Sequence, residues 1–328
     1  MASTMRAILV KAFGDASVLK LAKDVPIPEI KPQEVLIRIH ASGVNPVETY
    51  IRSGVYTRLP KLPYTPGGDC SGVIERVGDE VTKFKIGDRV FTVKTVTGTY
   101  SEYCAAHPDH VFPLPSNISF EEGSALGTPY FTAYRALFIK GHAKPNETVL
   151  IHGASGGVGI AAVQLAKSLG LRVIGTASTE QGLQAVHDQG ADLVFNHKQE
   201  GYLKDISTTS VNGGGVDLII EMLANVNLNN DLQILTPKVG RIVVVGNRGA
   251  IEINPRFLMT NETSICGITL SSSSDEEFQM TNAYLQNGLK HGYLKPLLGK
   301  IYPLEAAAEA HTDIMSSTGT CGRLTLQI

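Results

Sequence analysis

Cysteine is scarce and scattered. The 328-residue chain has four, Cys70, Cys104, Cys266 and Cys321, with no C-x-x-C pair among them. That argues against a disulfide scaffold and a cysteine-rich metal lobe, and it fits a reducing compartment. Long apolar runs are missing as well: none reaches the roughly 18 uncharged residues of a membrane span. Met1 to Arg6 lack the apolar stretch of a signal peptide, so a cytoplasmic protein with no membrane partner is expected. No charge of one sign dominates; a formal net charge of −2 offers no general attraction to nucleic acid or to an anionic surface. The nine histidines include no H-E-x-x-H, and the nearest pair, His107 and His110, flanks Pro108-Asp109 in an expected loop.

What is present describes an α/β protein. Hydrophobic residues make up 43% of the chain, charged residues 18%, and there are 33 glycines. The length suits two domains. Up to about residue 125, short β-branched stretches alternate with turn residues: Arg6 to Val10, Val18 to Leu21, Val35 to Ile39, Gly72 to Val77, Asp88 to Phe91 and Gly98 to Tyr103. This predicts a β-rich barrel-like domain, with Phe112 to Ser116 as a linker. Helices are expected from Ser119, where Glu122 stands at capping-box spacing, and over Tyr130 to Leu137. Strand and helix then alternate: strands at 148–152, 172–177, 192–195, 216–222, 240–246 and 264–269, and helices at 157–169, 180–188 and 226–235. Strands this apolar, separated by helices, imply a parallel sheet covered on both faces. The tail, with a helix over 276–289 and a last strand at 322–328, is assigned back to the first domain. The expected domains are therefore 1–124 with 270–328, and an inserted 125–269.

The sharpest motif is Val149 to Gly159, Val-Leu-Ile-His-Gly-Ala-Ser-Gly-Gly-Val-Gly. Ala154, Gly156 and Gly159 fit the A/G-x-G-x-x-G form of the dinucleotide fingerprint, between a strand and a helix start as the motif requires. The N–H groups of the first helical turn would face a pyrophosphate, which makes Ser155, Gly156, Gly157 and Val158 the candidate cradle. At the end of the next strand an NAD enzyme carries a carboxylate for the ribose hydroxyls. Here stand Ala177, Ser178 and Thr179, which leaves room for a 2′-phosphate. His197 or Lys198, after the third strand, could meet that phosphate; His197 could equally be a cap or surface residue.

Gly43 to Gly54, Pro63 to Gly67, Pro129 to Leu137, His152 to Gly159 and Ile220 to Leu228 together resemble the zeta-crystallin branch of the medium-chain dehydrogenase/reductase superfamily, the zinc-free NADPH quinone oxidoreductases. The likeness runs end to end. It implies a Rossmann doubly wound parallel sheet inserted into a GroES-like β-rich catalytic domain, NADPH as cofactor, a quinone substrate with ortho-quinones favoured, a homotetramer and a side role in binding AU-rich RNA. Zinc-dependent relatives carry a cysteine turn where this chain has Val44-Asn45-Pro46, and Gly-His-Glu where it has Gly67-Gly68-Asp69. Both ligand types are missing, so no metal is expected. By the same resemblance Asn45, Tyr50, Thr65 and Thr128 surround the reacting atoms, with Tyr50 also touching the cofactor. Asn227, Val245, Gly246, Asn247, Arg248, Ile268, Thr269 and Leu270 should meet ribose, pyrophosphate and nicotinamide. Other readings stay open: Asn45 before Pro46 is a natural turn residue, Tyr50 can simply pack, Asn227 can cap a helix and Arg248 can lie on the surface. Reduction of an activated C=C bond uses the same geometry. A lens-structural or RNA-binding role is the non-enzymic alternative.

Overall fold

Apolar β-branched stretches bounded by Gly and Pro form strands at nearly every place their pattern predicts. The computed structural model describes residues 3–209, 214–316 and 321–328. The first strands are β1 (Thr4–Leu9), β2 (Lys20–Pro26), β3 (Val35–Gly43), β4 (Cys70–Val77), β5 (Arg89–Thr92), β6 (Tyr103–Ala106) and β7 (Val111–Pro113), with helices α1 (Pro46–Ser53) and α2 (Phe120–Gly123) among them. There follow α3 (Gly127–Tyr134), β8 (Thr148–Ile151), α4 (Gly157–Ser168), β9 (Arg172–Ala177), α5 (Glu180–Asp188), β10 (Leu193–Asn196), α6 (Tyr202–Thr209), β11 (Leu218–Glu221), α7 (Ala224–Asp231), β12 (Arg241–Val244), α8 (Arg256–Asn261) and β13 (Ser264–Gly267). The chain closes with α9 (Asp275–His291), β14 (Leu298–Pro303), α10 (Ala307–Asp313) and β15 (Arg323–Gln327). Two compact units result: Met1–Thr128 with Phe278–Ile328, and Pro129–Glu277.

In the first unit β3 is the organising strand. Its sequence VLIRIHASG is buried along almost its whole length, because it pairs antiparallel with β4, with β6 and, through residues 41–43, with β15. The sheet order is β14-β15-β3-β4-β5-β7, with β6 off the path on β3. Two apolar clusters fill this unit, one around Val35, Ile37, Ile74 and Val90, the other around Ile8, Tyr100, Tyr302 and Leu326. Two local expectations fail here. Gly98 to Tyr103 is mostly bend, and the strand begins only at Tyr103: Thr99 and Tyr100 both donate N–H bonds to the Pro66 carbonyl, and the stretch meets β1 through an isolated bridge between Ala7 and Ser101. Phe112 to Ser116 is not wholly a linker, since Val111–Pro113 pairs with β5; its last residue, Pro113, gives the ladder no N–H, consistent with an edge position.

In the second unit six strands lie parallel in the order β10-β9-β8-β11-β12-β13. This is the doubly wound arrangement, reversing between β8 and β11, where such sheets open a crevice at the carboxyl ends of their strands. The central strands β8 and β11 are fully buried, whereas the edge strands β10 and β13 are at most half-buried. Helix α4 packs close to the sheet because its inner residues Ala161, Ala162 and Ala166 are small and Gly159 has no side chain. A Cβ at Gly159 would stand 2.5 Å from the Gly153 carbonyl oxygen.

Candidate functional site

In the first unit the candidate residues gather around one buried carboxylate, Asp69, just before β4. Asp69 Oδ2 accepts from Arg323 Nη2 at 2.6 Å and Asn45 Nδ2 at 3.0 Å. Its Oδ1 accepts from the Thr128 N–H at 2.9 Å and the Thr128 hydroxyl at 2.7 Å. Four donors converge on a side chain with no exposed surface, which is the coordination of an ionised carboxylate. Burial pushes its pKa up, and Arg323 with these hydrogen bonds opposes that push. The approach requires glycine at position 127, where a Cβ would lie 2.6 Å from Asp69 Oδ1 and 2.3 Å from the Thr92 carbonyl oxygen.

Asn45 precedes α1, whose first residue is Pro46 and whose end is set by Gly54 in the left-handed region (φ 82°). Both of its amide hydrogens are engaged, one on Asp69 and one on Glu48 Oε1 at 3.0 Å, and its Oδ1 accepts from Arg323 Nη1 at 2.6 Å. The amide therefore has no hydrogen left for a developing oxyanion, and it acts here as a clamp between Arg323, Asp69 and Glu48. Thr128 likewise gives its hydroxyl hydrogen to Asp69. Tyr50 on α1 and Thr65 after Tyr64 are different: both are half-buried, and neither hydroxyl bonds to any described residue.

The clamp continues inward through groups that motif reading did not single out. Glu48 Oε2 accepts from the Asn45 backbone N–H at 2.8 Å and from the Tyr100 hydroxyl at 2.6 Å. Tyr100 Oη lies 3.0 Å from His311 Nε2, and His311 Nδ1 lies 3.5 Å from Arg52 Nη1. If Arg52 donates to Nδ1, the network assigns the ring hydrogen to Nε2, which donates to Tyr100. His311 stays neutral, its pKa pushed down to about 3 by burial and by the neighbouring Arg52 cation. The available signal was a charged residue set in an apolar strand, as Arg323 is in Gly-Arg-Leu-Thr-Leu.

In the second unit the candidate residues follow the carboxyl ends of the parallel strands, except Asn227, which lies within α7. Gly156 is the N-cap of α4 and brings no side-chain oxygen to the first-turn N–H groups, and no acidic residue stands in that turn. Ser155, Gly156, Gly157 and Val158 are partly exposed, and a Cβ at Gly156 would meet nothing closer than 3.6 Å. Beyond β9, Ser178 is half-buried, while the Thr179 hydroxyl caps α5 by accepting from the Gly182 N–H at 3.1 Å. The His197 N–H donates to the Ala177 carbonyl at 3.1 Å, which sets His197 at the end of the neighbouring strand. Val245 and Gly246 donate to the Glu221 carbonyl, Asn225 Oδ1 accepts from the Arg248 N–H at 2.9 Å, and Ile268 donates to the Val244 carbonyl. Asn247 and Thr269 are exposed, and Leu270 opens a short 3₁₀ turn. Asn227 points its amide at Glu221 Oε1, 3.2 Å away.

Among the described residues the one group of three potential metal ligands is His152, Glu221 and Asp231, in the second unit. Among the described residues no helix is long and apolar enough to cross a membrane.

Comparison with known proteins follows this division. Residues 31–116 match the family model described as the alcohol dehydrogenase GroES-like domain, and residues 157–286 the model described as zinc-binding dehydrogenase. The chain is 54% identical to a mouse protein named quinone oxidoreductase, over 98% of this chain and 97% of the relative. It is equally similar to the human protein of that name, with the same coverage. Among solved structures, an Escherichia coli quinone oxidoreductase complexed with NADPH superposes with a TM-score of 0.89 at 29% identity, covering the whole of both chains.

Proposed function

The chain belongs to the medium-chain dehydrogenase/reductase superfamily of oxidoreductases, and from that premise we propose that it reduces quinones, ortho-quinones above all, with NADPH and without a metal. The observation that carries the reading is the near-full-length likeness to proteins named quinone oxidoreductase. The side chains support it. Val44-Asn45-Pro46 and Gly67-Gly68-Asp69 offer neither the cysteine nor the histidine that zinc-dependent relatives carry there, and the nearby carboxylates of Asp69 and Glu48 are already engaged by hydrogen-bond donors; without a Lewis acid an alcohol is not readily acidified for oxidation. A quinone needs no such help, because added negative charge becomes a phenolate.

NADPH, when bound, supplies the hydride. The first-turn N–H groups of α4, over Gly156 to Val158, would hold its pyrophosphate, and uncharged Ser178 with His197 would receive the 2′-phosphate. Asn227, the run Val245 to Arg248 and the run Ile268 to Leu270 would border the ribose and nicotinamide. In the first unit Asp69 holds Asn45 and Thr128 fixed, and the unengaged hydroxyls of Tyr50 and Thr65 are the donors for the oxyanion that forms on the acceptor. We extend the reading to a cytoplasmic homotetramer, which light scattering of the purified protein tests.

The decisive assay is oxidation of NADPH followed at 340 nm with an ortho-quinone, an enone and an alcohol series, with and without a chelator. Rapid turnover of the quinone, insensitive to chelator, is expected. Activity confined to the enone would move the assignment to C=C reduction, and chelator-sensitive alcohol oxidation would refute the proposal.

A further inference from the structure

The described interior of the second unit holds a set of ionisable side chains that the proposed reaction does not use. Glu221 ends β11, Asp231 ends α7 and His152 follows β8, with 0%, 0% and 2% of their surface exposed. His152 Nε2 lies 2.9 Å from Asp231 Oδ1 and 3.6 Å from Glu221 Oε2. Glu221 Oε1 accepts from the Leu223 N–H and from Asn227 Nδ2, the latter at 3.2 Å. Two oxygens remain, Glu221 Oε2 and Asp231 Oδ2, both buried and without a partner as long as both carboxyls are ionised.

One proton shared by the pair offsets this. Both carboxyls face the same ring nitrogen, Asp231 Oδ1 at 2.9 Å and Glu221 Oε2 at 3.6 Å from His152 Nε2, so a hydrogen on Glu221 Oε2 has Asp231 for its acceptor and removes the like charge between them. Two facing carboxylates out of water cannot both stay charged. With Asp231 ionised, His152 Nε2 carries a hydrogen, donates it to Asp231 Oδ1 and offers no lone pair to a cation. Burial keeps the His152 ring neutral and pushes both carboxyls upward, Glu221 to about 8. The other titratable groups facing the set are Tyr202 of α6, edge-on to His152 with ring centroids 6.4 Å apart, and His197 one step out.

Glu221 also ties two loops together. Its backbone carbonyl accepts from Val245 and Gly246, and its side chain holds the Leu223 turn and the Asn227 amide. We propose that Glu221 is a positioning residue of the nucleotide site, a neutral carboxylic acid that donates one hydrogen to Asp231 and with its other oxygen sets Leu223 and Asn227. This rests on the nucleotide reading above for its ligand. The consequence is a site that loosens when the proton leaves. A carboxyl whose folded pKa is raised contributes stability that is present below its unfolded value of 4.5 and lost as pH rises through about 8.

Glu221→Gln tests this, because an amide reproduces the protonated acid, one N–H for Asp231 and one oxygen for Leu223 and Asn227. The dissociation constants of NADPH and NADH, followed by cofactor fluorescence, should weaken roughly 5-fold or more in the wild type between pH 7 and 9. Those of E221Q should stay within about 2-fold throughout. NADH removes the titration of the 2′-phosphate from the comparison. The melting temperature of the cofactor-free wild type should fall by roughly 5 °C relative to E221Q over the same range. Glu221→Leu, which offers no acceptor, should weaken both cofactors about 10-fold or more at pH 7; if it does not fold, the E221Q and wild-type profiles decide. The proposal is overturned if E221Q is impaired at pH 7, if the wild type is as flat with pH as E221Q, or if purified protein carries a stoichiometric divalent metal that E221Q loses. A wild type that binds neither cofactor refutes the nucleotide reading instead, and the melting profiles still judge the proton.

Discussion

Asp69 is the residue on which the first unit's site depends, and its removal has a calculable consequence. Asp69 and Arg323 are 0% and 4% exposed in their side chains and 2.6 Å apart. Breaking a buried pair leaves one charge uncompensated, at a cost of about 3–5 kcal/mol. In Asp69→Asn the new NH₂ also points a donor at donors, either Arg323 and Asn45 or the two groups of Thr128. At about 2–4 °C per kcal/mol for a unit of this size, the melting temperature should drop by roughly 10 °C, and kcat/KM for a quinone should fall with it because Asn45 and Thr128 lose their anchor. The double variant Asp69→Leu/Arg323→Met removes both charges and should recover part of the loss. It should stay below wild type, because the Thr128 N–H and one Asn45 hydrogen remain buried without acceptors, at about 1–3 kcal/mol each. Lys300 and Glu309 form a pair at the same 2.6 Å, but with side chains 53% and 56% exposed, so Lys300→Ala should leave the melting curve unchanged. Calorimetry of these three variants tests the argument. It is refuted if D69N melts within about 2 °C of wild type, or if the double variant melts below D69N.

Three further outcomes are expected. Tyr50→Phe should lower kcat on an ortho-quinone about 10-fold or more with a smaller change in KM, Thr65→Val should have a similar effect, and an unchanged turnover in both would remove hydroxyl donation from the mechanism. Ser178→Asp should raise the KM for NADPH by at least about 10-fold while that for NADH falls or holds, since a carboxylate repels the 2′-phosphate and accepts from the ribose hydroxyls; equal discrimination in variant and wild type would show that position 178 does not read the phosphate. His311, neutral in the fold with its pKa down at about 3, contributes stability that is present above the unfolded value of 6.5 and lost as pH falls toward 3. Chemical denaturation between pH 7 and 4 should show a steady loss that is shallower in His311→Gln.

Most of the architecture was legible because it rests on local pattern. Apolar strands broken by glycine and spaced by helices predict a parallel sheet, and Ala154, Gly156 and Gly159 predict the turn that joins β8 to α4. The misread stretches are those where a local preference lost to a distant partner. Gly98 to Tyr103 looks like a strand, yet its first N–H groups are taken by the Pro66 carbonyl. Pro113 looks like a linker residue, yet an edge strand tolerates it.

The candidate site divides the same way. The resemblance to a known family singled out Asn45 and Gly68 as the positions where zinc-dependent relatives carry ligands, while residue types and spacing alone determined the turn at 154–159 and the uncharged end of β9 at Ser178. They could not say what Asn45 does, because its partners Asp69 and Arg323 stand 24 and 278 positions away in the chain. Nor could they pair Glu221 with Asp231, which end a strand and a helix. Hydrogen-bond satisfaction is a property of groups brought together by packing, and only the tertiary structure decided which donors are already engaged and which, at Tyr50 and Thr65, remain available.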